Sequence, residues 1–311
     1  MRTVKLRQAI IPIFLLTFPL AAHGCATAAV QEATIPAPVT GTPSASAVPS
    51  PALTPGSPTP QAPQCETLPG TLGRDSLEST NPAQEFIFYL PPCYFEHQGT
   101  RFPVVYLLHG QTYTDEQWVR IGAVAAADRL ITSGGAEPFM MVFPDDRYWN
   151  AVAGPGFGDR LLSLIPHIDA TYRTLADREH RSLGGLSRGA GWAARLGFTH
   201  ADMFGSIGLH SPAIFKQDGP YLRTWIATIQ EGERPRLWLD IGDWDTELGD
   251  GSKLTEYLAD IGYPHEFHMY SGDHSENYWA QHVEEYLLWY AEGWTASANE
   301  SRPELEGAGA G

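Results

Sequence analysis

Two hydrophobic patterns alternate between about Cys65 and Trp294. Short runs in which most positions are apolar, rich in β-branched and aromatic residues, fall at 85–90 (EFIFYL), 102–108 (FPVVYLL) and 138–143 (PFMMVF). The series continues at 180–185 (HRSLGG), 204–209 (FGSIGL), 236–241 (RLWLDI) and 265–270 (HEFHMY). Such runs read as buried strands. Helical patterns separate them at 122–131, 159–173, 188–198, 252–262 and 278–293. Strand and helix in alternation over this span predict a single α/β domain with a mostly parallel sheet covered by helices on both faces. In such sheets chemistry gathers just past the carboxyl ends of the strands, so the residues there are the first to examine.

Outside this span the pattern changes. Arg2, Lys5 and Arg7 precede an apolar stretch from Ala9 to Ala22, which is short for a membrane span and suits a signal-peptide core. It ends in LAAHGC, so residues 1–24 read as a signal of the lipoprotein type with Cys25 as the lipidated residue. His23 fits that junction poorly, and ordinary signal-peptidase cleavage nearby is the alternative. Residues 25–64 form a tether: Gln31 to Gln64 holds nine prolines, no aromatic residue and no charge after Glu32, too little apolar surface to fold. Residues 295–311 are small, polar and Gly-rich and read as a flexible tail.

Composition narrows the function. A formal net charge of −16 among 311 residues repels phosphate backbones and disfavours nucleic-acid binding. With Cys25 lipidated, Cys65 and Cys93 remain. In an oxidising compartment they are expected to pair as a disulfide that staples the start of the domain to the end of its first strand. No metal-ligand spacing or phosphate loop occurs, so no metal or cofactor is expected. The only membrane contact expected is through the lipid anchor.

The sequence Gly185-Leu186-Ser187-Arg188-Gly189 lies where a strand becomes a helix. That context turns a weak G-x-S-x-G match into a candidate nucleophile elbow. Flanking glycines leave room for a sharp turn, and the helix N-terminus presents N–H groups near the hydroxyl. A serine nucleophile needs a base, and the base an orienting acid, in the chain order Ser, Asp or Glu, His. Asp243, Asp245 and Glu247 all follow the 236–241 strand, and spacing alone does not choose between Asp243 and Asp245. His274 follows the next strand. His265 and His268 lie within a strand pattern, His167, His180, His200 and His282 in helices or their flanks, and His210 after the wrong strand. The run VVYLLHGQTY ends in His109-Gly110-Gln111, a loop that can offer Gln111 N–H as one oxyanion donor beside the N–H of Arg188, with His109 bracing it.

The runs YLLHG, GLSRGA, DIGDWD and SGDHSENYW, in this order and at these separations, resemble the "Putative esterase" family of α/β-hydrolases. That family includes esterase D, enterochelin esterases, secreted feruloyl and acetylxylan esterases, and mycolyltransferases. The resemblance covers about Cys65 to Tyr290. It implies the α/β-hydrolase fold and a serine carboxylic-ester hydrolase. It selects Asp245 through Gly242-Asp243-Trp244-Asp245 and matches His274 through Gly272-Asp273-His274. Gln111 and Arg188 match its oxyanion donors. Ala190 departs from the pattern, since many members carry a second glycine there. Trp149, Trp244 and Tyr278 are candidate substrate contacts, for an aromatic or carbohydrate-linked ester. An acyltransferase on the same scaffold is the main rival, and a non-catalytic binding module the weaker one.

Overall fold

The structure, a computed structural model, describes residues 69–146 and 156–300, with side chains to Trp294. The leader, Cys25, the tether, Cys65, Trp149 and residues 301–311 lie outside the described residues. All described residues belong to one unit, Pro58–Gly311.

Eight strands form one sheet: β1 (Thr71–Leu77), β2 (Gln84–Leu90), β3 (Val104–Leu108), β4 (Met140–Pro144), β5 (Arg181–Leu186), β6 (Ser206–His210), β7 (Arg236–Gly242) and β8 (Glu266–Tyr270). The helices are α1 (Gln117–Arg120), α2 (Ala123–Thr132), α3 (Phe157–Thr171), α4 (Arg188–Thr199), α5 (Gly219–Thr228), α6 (Leu248–Asp260) and α7 (Glu276–Glu300). The sheet order is β1-β2-β4-β3-β5-β6-β7-β8. β1 pairs antiparallel with β2, and β2 antiparallel with β4, while every neighbour from β4 through β8 is parallel. The expected α/β-hydrolase architecture is therefore present.

The parallel strands β3, β4, β5 and β6 are buried at every position, which is why they read as continuous apolar runs. Alternate residues feed two cores. Val104, Tyr106 and Leu108 of β3 join the core under α3 and α4, and Val105 and Leu107 join the core under α2 and α7. On α7, Trp279, Val283, Tyr286, Leu287, Tyr290 and Trp294 are buried at helical spacing. Each such side chain contributes about 1.5–3 kcal/mol of burial free energy.

Three expectations need correction. β1, α1 and α5 are not legible as elements in the hydrophobic pattern. β1 (TLGRDSL) is largely exposed and forms because it pairs with β2 along all seven residues, covering an otherwise open edge. Cys93 therefore follows the second strand, not the first. The C-terminal helix does not stop near Trp294, since α7 continues to Glu300.

The register sets the site. Leu108 pairs with Gly185, Leu186 with His210, and Gly242 with Tyr270, so the loops after β5, β7 and β8 leave one edge of the sheet together. Two glycines let the Tyr290 hydroxyl enter the sheet: a Cβ on Gly184 would lie 1.9 Å from it and one on Gly208 1.8 Å. There the hydroxyl meets His210 Nε2 at 3.1 Å. Gly208→Ala should cost about 1–3 kcal/mol in urea unfolding through overpacking. Adding Tyr290→Phe should recover part of that loss, because it removes the atom that clashes.

Candidate active site

Ser187 sits between β5 and α4 with φ 52° and ψ −115°, a strained conformation for a residue bearing a side chain. The turn is tight because backbone meets backbone. A Cβ on Gly185 would lie 2.3 Å from Gly189 C, and one on Gly189 2.2 Å from Leu108 O. Both glycines of the motif are thus required by close approach. Hydrogen bonds hold the strained residue: Ser187 N–H donates to His210 O at 2.9 Å, and Gly191 N–H and Ala213 N–H donate to Ser187 O at 3.0 and 3.2 Å.

The loops after β7 and β8 bring the other two groups to the hydroxyl. His274 Nε2 lies 2.7 Å from Ser187 Oγ. His274 Nδ1 lies 2.8 and 3.0 Å from the two carboxylate oxygens of Asp245. A carboxylate can only accept there, so Nδ1 carries the proton and Nε2 is left to accept from the serine hydroxyl. Asp243 points elsewhere: its Oδ1 accepts Gly272 N–H at 2.9 Å and its N–H donates to Tyr270 O at 2.8 Å. It ties the two loops together and leaves Asp245 to meet the imidazole.

Burial of Asp245 pushes its pKa up, but hydrogen bonds from His274, Glu247 N–H and Ser211 outweigh this and hold the carboxyl below its ordinary range. The Glu247 N–H donates to Oδ1 at 2.7 Å. Glu247 itself is shifted upward, chiefly by burial. Ser211 is a supporting residue that sequence reasoning missed. It follows β6, has φ 50°, and also accepts Trp279 Nε1 at 3.0 Å. Its position at a strand end was the available signal.

His109 Nδ1–H donates to Gly110 O at 2.8 Å, and Nε2 accepts Asp146 N–H at 2.8 Å, so it joins the loop after β3 to the loop after β4. The Gly110 N–H is occupied, donating to Gln117 Oε1 at 2.7 Å. The Gln111 N–H is the next along that loop. Arg188 is the first residue of α4, where N–H groups have no intrahelical acceptor. Its guanidinium is buried and donates to Asp146 Oδ2 at 3.0 Å, beside Trp192 Nε1 at 3.1 Å.

The candidate substrate contacts separate. Trp244, one residue before Asp245, is 80% exposed. Tyr278 is a correction. It lies in the first turn of α7, is buried at 2% exposure, and donates its hydroxyl to Asp240 Oδ2 at 2.9 Å. It packs the core and does not line the mouth. Trp149 and Cys65 lie outside the described residues.

Under the site lies a fully buried carboxylate. Asp240 accepts from His210 Nδ1 at 2.6 Å, Trp238 Nε1 at 2.9 Å, Tyr278 at 2.9 Å and Tyr286 at 2.6 Å. His210 is thus a structural partner of Asp240.

A hydroxyl, imidazole and carboxylate joined in this order can move the hydroxyl proton to the ring while the carboxylate stabilises the charge that forms. Strand order and elbow place the chain in the α/β-hydrolase class. Within it, a family model described as "Putative esterase" matches residues 78–150 and 161–290, and the chain belongs to that family. It is 32% identical over 146 residues to an endo-1,4-beta-xylanase/feruloyl esterase of Xylanibacter ruminicola, covering 43% of this chain and 20% of that protein. It is 30% identical over 238 residues to an esterase of Mycobacterium tuberculosis, covering 60% of this chain and 51% of that protein. The chain therefore spans about half or less of the length of these curated relatives. Among solved structures, a ferulic acid esterase aligns with TM-score 0.63 at 24% identity, covering 73% of this chain and 100% of that one. The feruloyl esterase module from Clostridium thermocellum, as a serine-to-alanine variant complexed with sinapinate, aligns with TM-score 0.62 at 17% identity, covering 82% and 96%. These likenesses share the fold.

The lowered Asp245 pKa has a consequence for stability. A depressed carboxyl contributes stability above its unfolded pKa and loses it as pH falls through the folded value. Asp245→Asn should therefore be less stable than wild type at pH 7. The gap should close as urea unfolding is repeated down through the acid range.

Proposed function

We propose that the chain is a serine carboxylic-ester hydrolase that works through an acyl-enzyme on Ser187. The observation that carries this reading is the line from Ser187 Oγ through His274 to Asp245, with contacts of 2.7 and 2.8 Å, on a strained elbow. His274 Nε2 takes the hydroxyl proton as Ser187 Oγ attacks the ester carbonyl. The N–H groups of Gln111 and Arg188 stabilise the oxyanion that develops. The imidazolium, held by Asp245, returns its proton to the departing alkoxide, and the C–O ester bond breaks. Water, deprotonated by His274, then attacks the acyl-enzyme; the acid leaves and Ser187 regains its proton.

The names of the relatives favour a hydroxycinnamoyl or other carbohydrate-linked ester as substrate, with the exposed Trp244 ring available to lie against it. Such a substrate is extracellular, in keeping with a leader at residues 1–24, lipidation at Cys25 and a tether over 25–64 that holds the esterase domain away from a membrane. Among the described residues no helix is long and apolar enough to cross a membrane. In that oxidising setting Cys65 pairs with Cys93.

Hydrolysis of p-nitrophenyl acetate and methyl ferulate tests the reading. Ser187→Ala should lower kcat by about 10³-fold or more; equal rates would remove Ser187 as nucleophile. The oxyanion assignment has its own test. Gln111→Pro deletes the N–H and should cost about 10²–10³-fold in kcat, whereas Gln111→Ala keeps the N–H and should be nearly silent.

A further inference from the structure

The loop after β6, α5 and α6 line a half-open cavity of ≈ 250 Å³ whose lining includes none of Ser187, His274 and Asp245. It lies close to the elbow in the chain's path. Ala213, which donates to Ser187 O, precedes its first lining residue, Ile214. Asp250 and Lys253, on the first turns of α6, close the other side, soon after Asp245.

Its lining is opposite in sign to the net charge of the chain. The sequence holds three lysines, Lys5, Lys216 and Lys253, in a chain of formal net charge −16. Two of the three, with Arg223, line this one cavity. Asp250 is the only acid among its lining residues, and it accepts from Lys253 Nζ at 3.0 Å. Among the described residues Lys216 and Arg223 have no carboxylate partner; the Arg223 guanidinium lies 4.5 Å from the centre of the Tyr257 ring. Nearby Asp218 is already taken, in a two-pronged pair with Arg195 at 2.7 and 2.6 Å. The cavity thus carries an excess of positive charge over an apolar floor of Phe215, Leu222 and Leu254.

We infer that this cavity is a subsite for a carboxylate-bearing sugar, a uronic-acid unit on the carbohydrate side of the ester. The inference rests on the esterase reading above. The charge complementarity calls for an anion. Aromatic surface beside it suits the C–H face of a sugar ring, and α5 carries more of it: Tyr221 and Trp225 stack with centroids 6.3 Å apart, and Tyr221 is 60% exposed. A polymer that continues past the cavity has a place to rest on the same helix. A multiply charged phosphate ligand fits less well, because the surrounding protein is strongly acidic.

The test uses the whole protein and ligands without an ester. Calorimetric titrations compare a glucuronic-acid-bearing xylo-oligosaccharide, the neutral xylo-oligosaccharide of equal length, and ferulate. Hydrolysis of p-nitrophenyl acetate runs alongside. The uronosyl ligand should bind more tightly than the neutral one. Lys216→Met/Lys253→Met should weaken that binding about five- to tenfold, as expected for two exposed ion pairs. Salt at 0.5 M should weaken it similarly. The double variant should leave neutral-ligand binding and p-nitrophenyl acetate hydrolysis unchanged. Equal affinity for the uronosyl and neutral ligands, or uronosyl binding indifferent to the variant, overturns the inference. Lysine-dependent capture of ferulate without the uronosyl preference also overturns it, and assigns the cavity to an aromatic acid. Failure to hydrolyse p-nitrophenyl acetate tells against the esterase reading itself, so the two failures are distinguishable.

Discussion

The site depends on one close approach, that of β5 to α4 across Ser187. The serine can stand at a positive φ only because the chain before and after it comes within contact distance, with glycine at both points where a Cβ would strike backbone. Three main-chain hydrogen bonds, to His210 of β6, from Gly191 of α4 and from Ala213 in the loop after β6, hold that geometry. The strain is therefore supported by β6, the first turn of α4 and the loop after β6 together. Everything else at the site is a matter of delivering His274 and Asp245 to a hydroxyl whose position is already set.

Delivery is the task of the loops after β7 and β8, and polar contacts fix both. Asp243 clamps the second loop to the first, and Ser211 and the Glu247 N–H hold the Asp245 carboxylate. Below them Asp240 gathers four donors from β6, β7 and α7. Burying a carboxylate is costly unless its lone pairs are filled, and here they are. The same residue thereby ties the helix that packs the far core to the strands that carry the site.

Much of this was legible in the sequence, and for identifiable reasons. The central strands announce themselves because burial on both faces demands uninterrupted apolar runs. The candidate residues Ser187 and His274 follow from position at strand ends. β1 was invisible because its residues are polar and its stability comes from pairing with β2. Asp243 and Asp245 could not be separated by spacing, since both occupy one loop; the deciding contact, Asp243 with Gly272 N–H, spans 29 residues. Tyr278 misled for a related reason. An aromatic residue near the histidine suggests a rim, but the buried Asp240 carboxylate that draws its hydroxyl inward is visible only in three dimensions. The lysine pair at the cavity beside α5 and α6 was equally hidden, because 37 residues separate Lys216 from Lys253 in sequence.

The central claim is that Ser187 becomes covalently acylated through His274. A fluorophosphonate probe, which phosphonylates an activated serine, followed by peptide mass spectrometry tests it most directly. The account predicts one adduct per chain, on the peptide containing Ser187, with labelling strongly slowed in His274→Ala. An adduct on another residue, or labelling of Ser187 at the same rate without the imidazole, would contradict it.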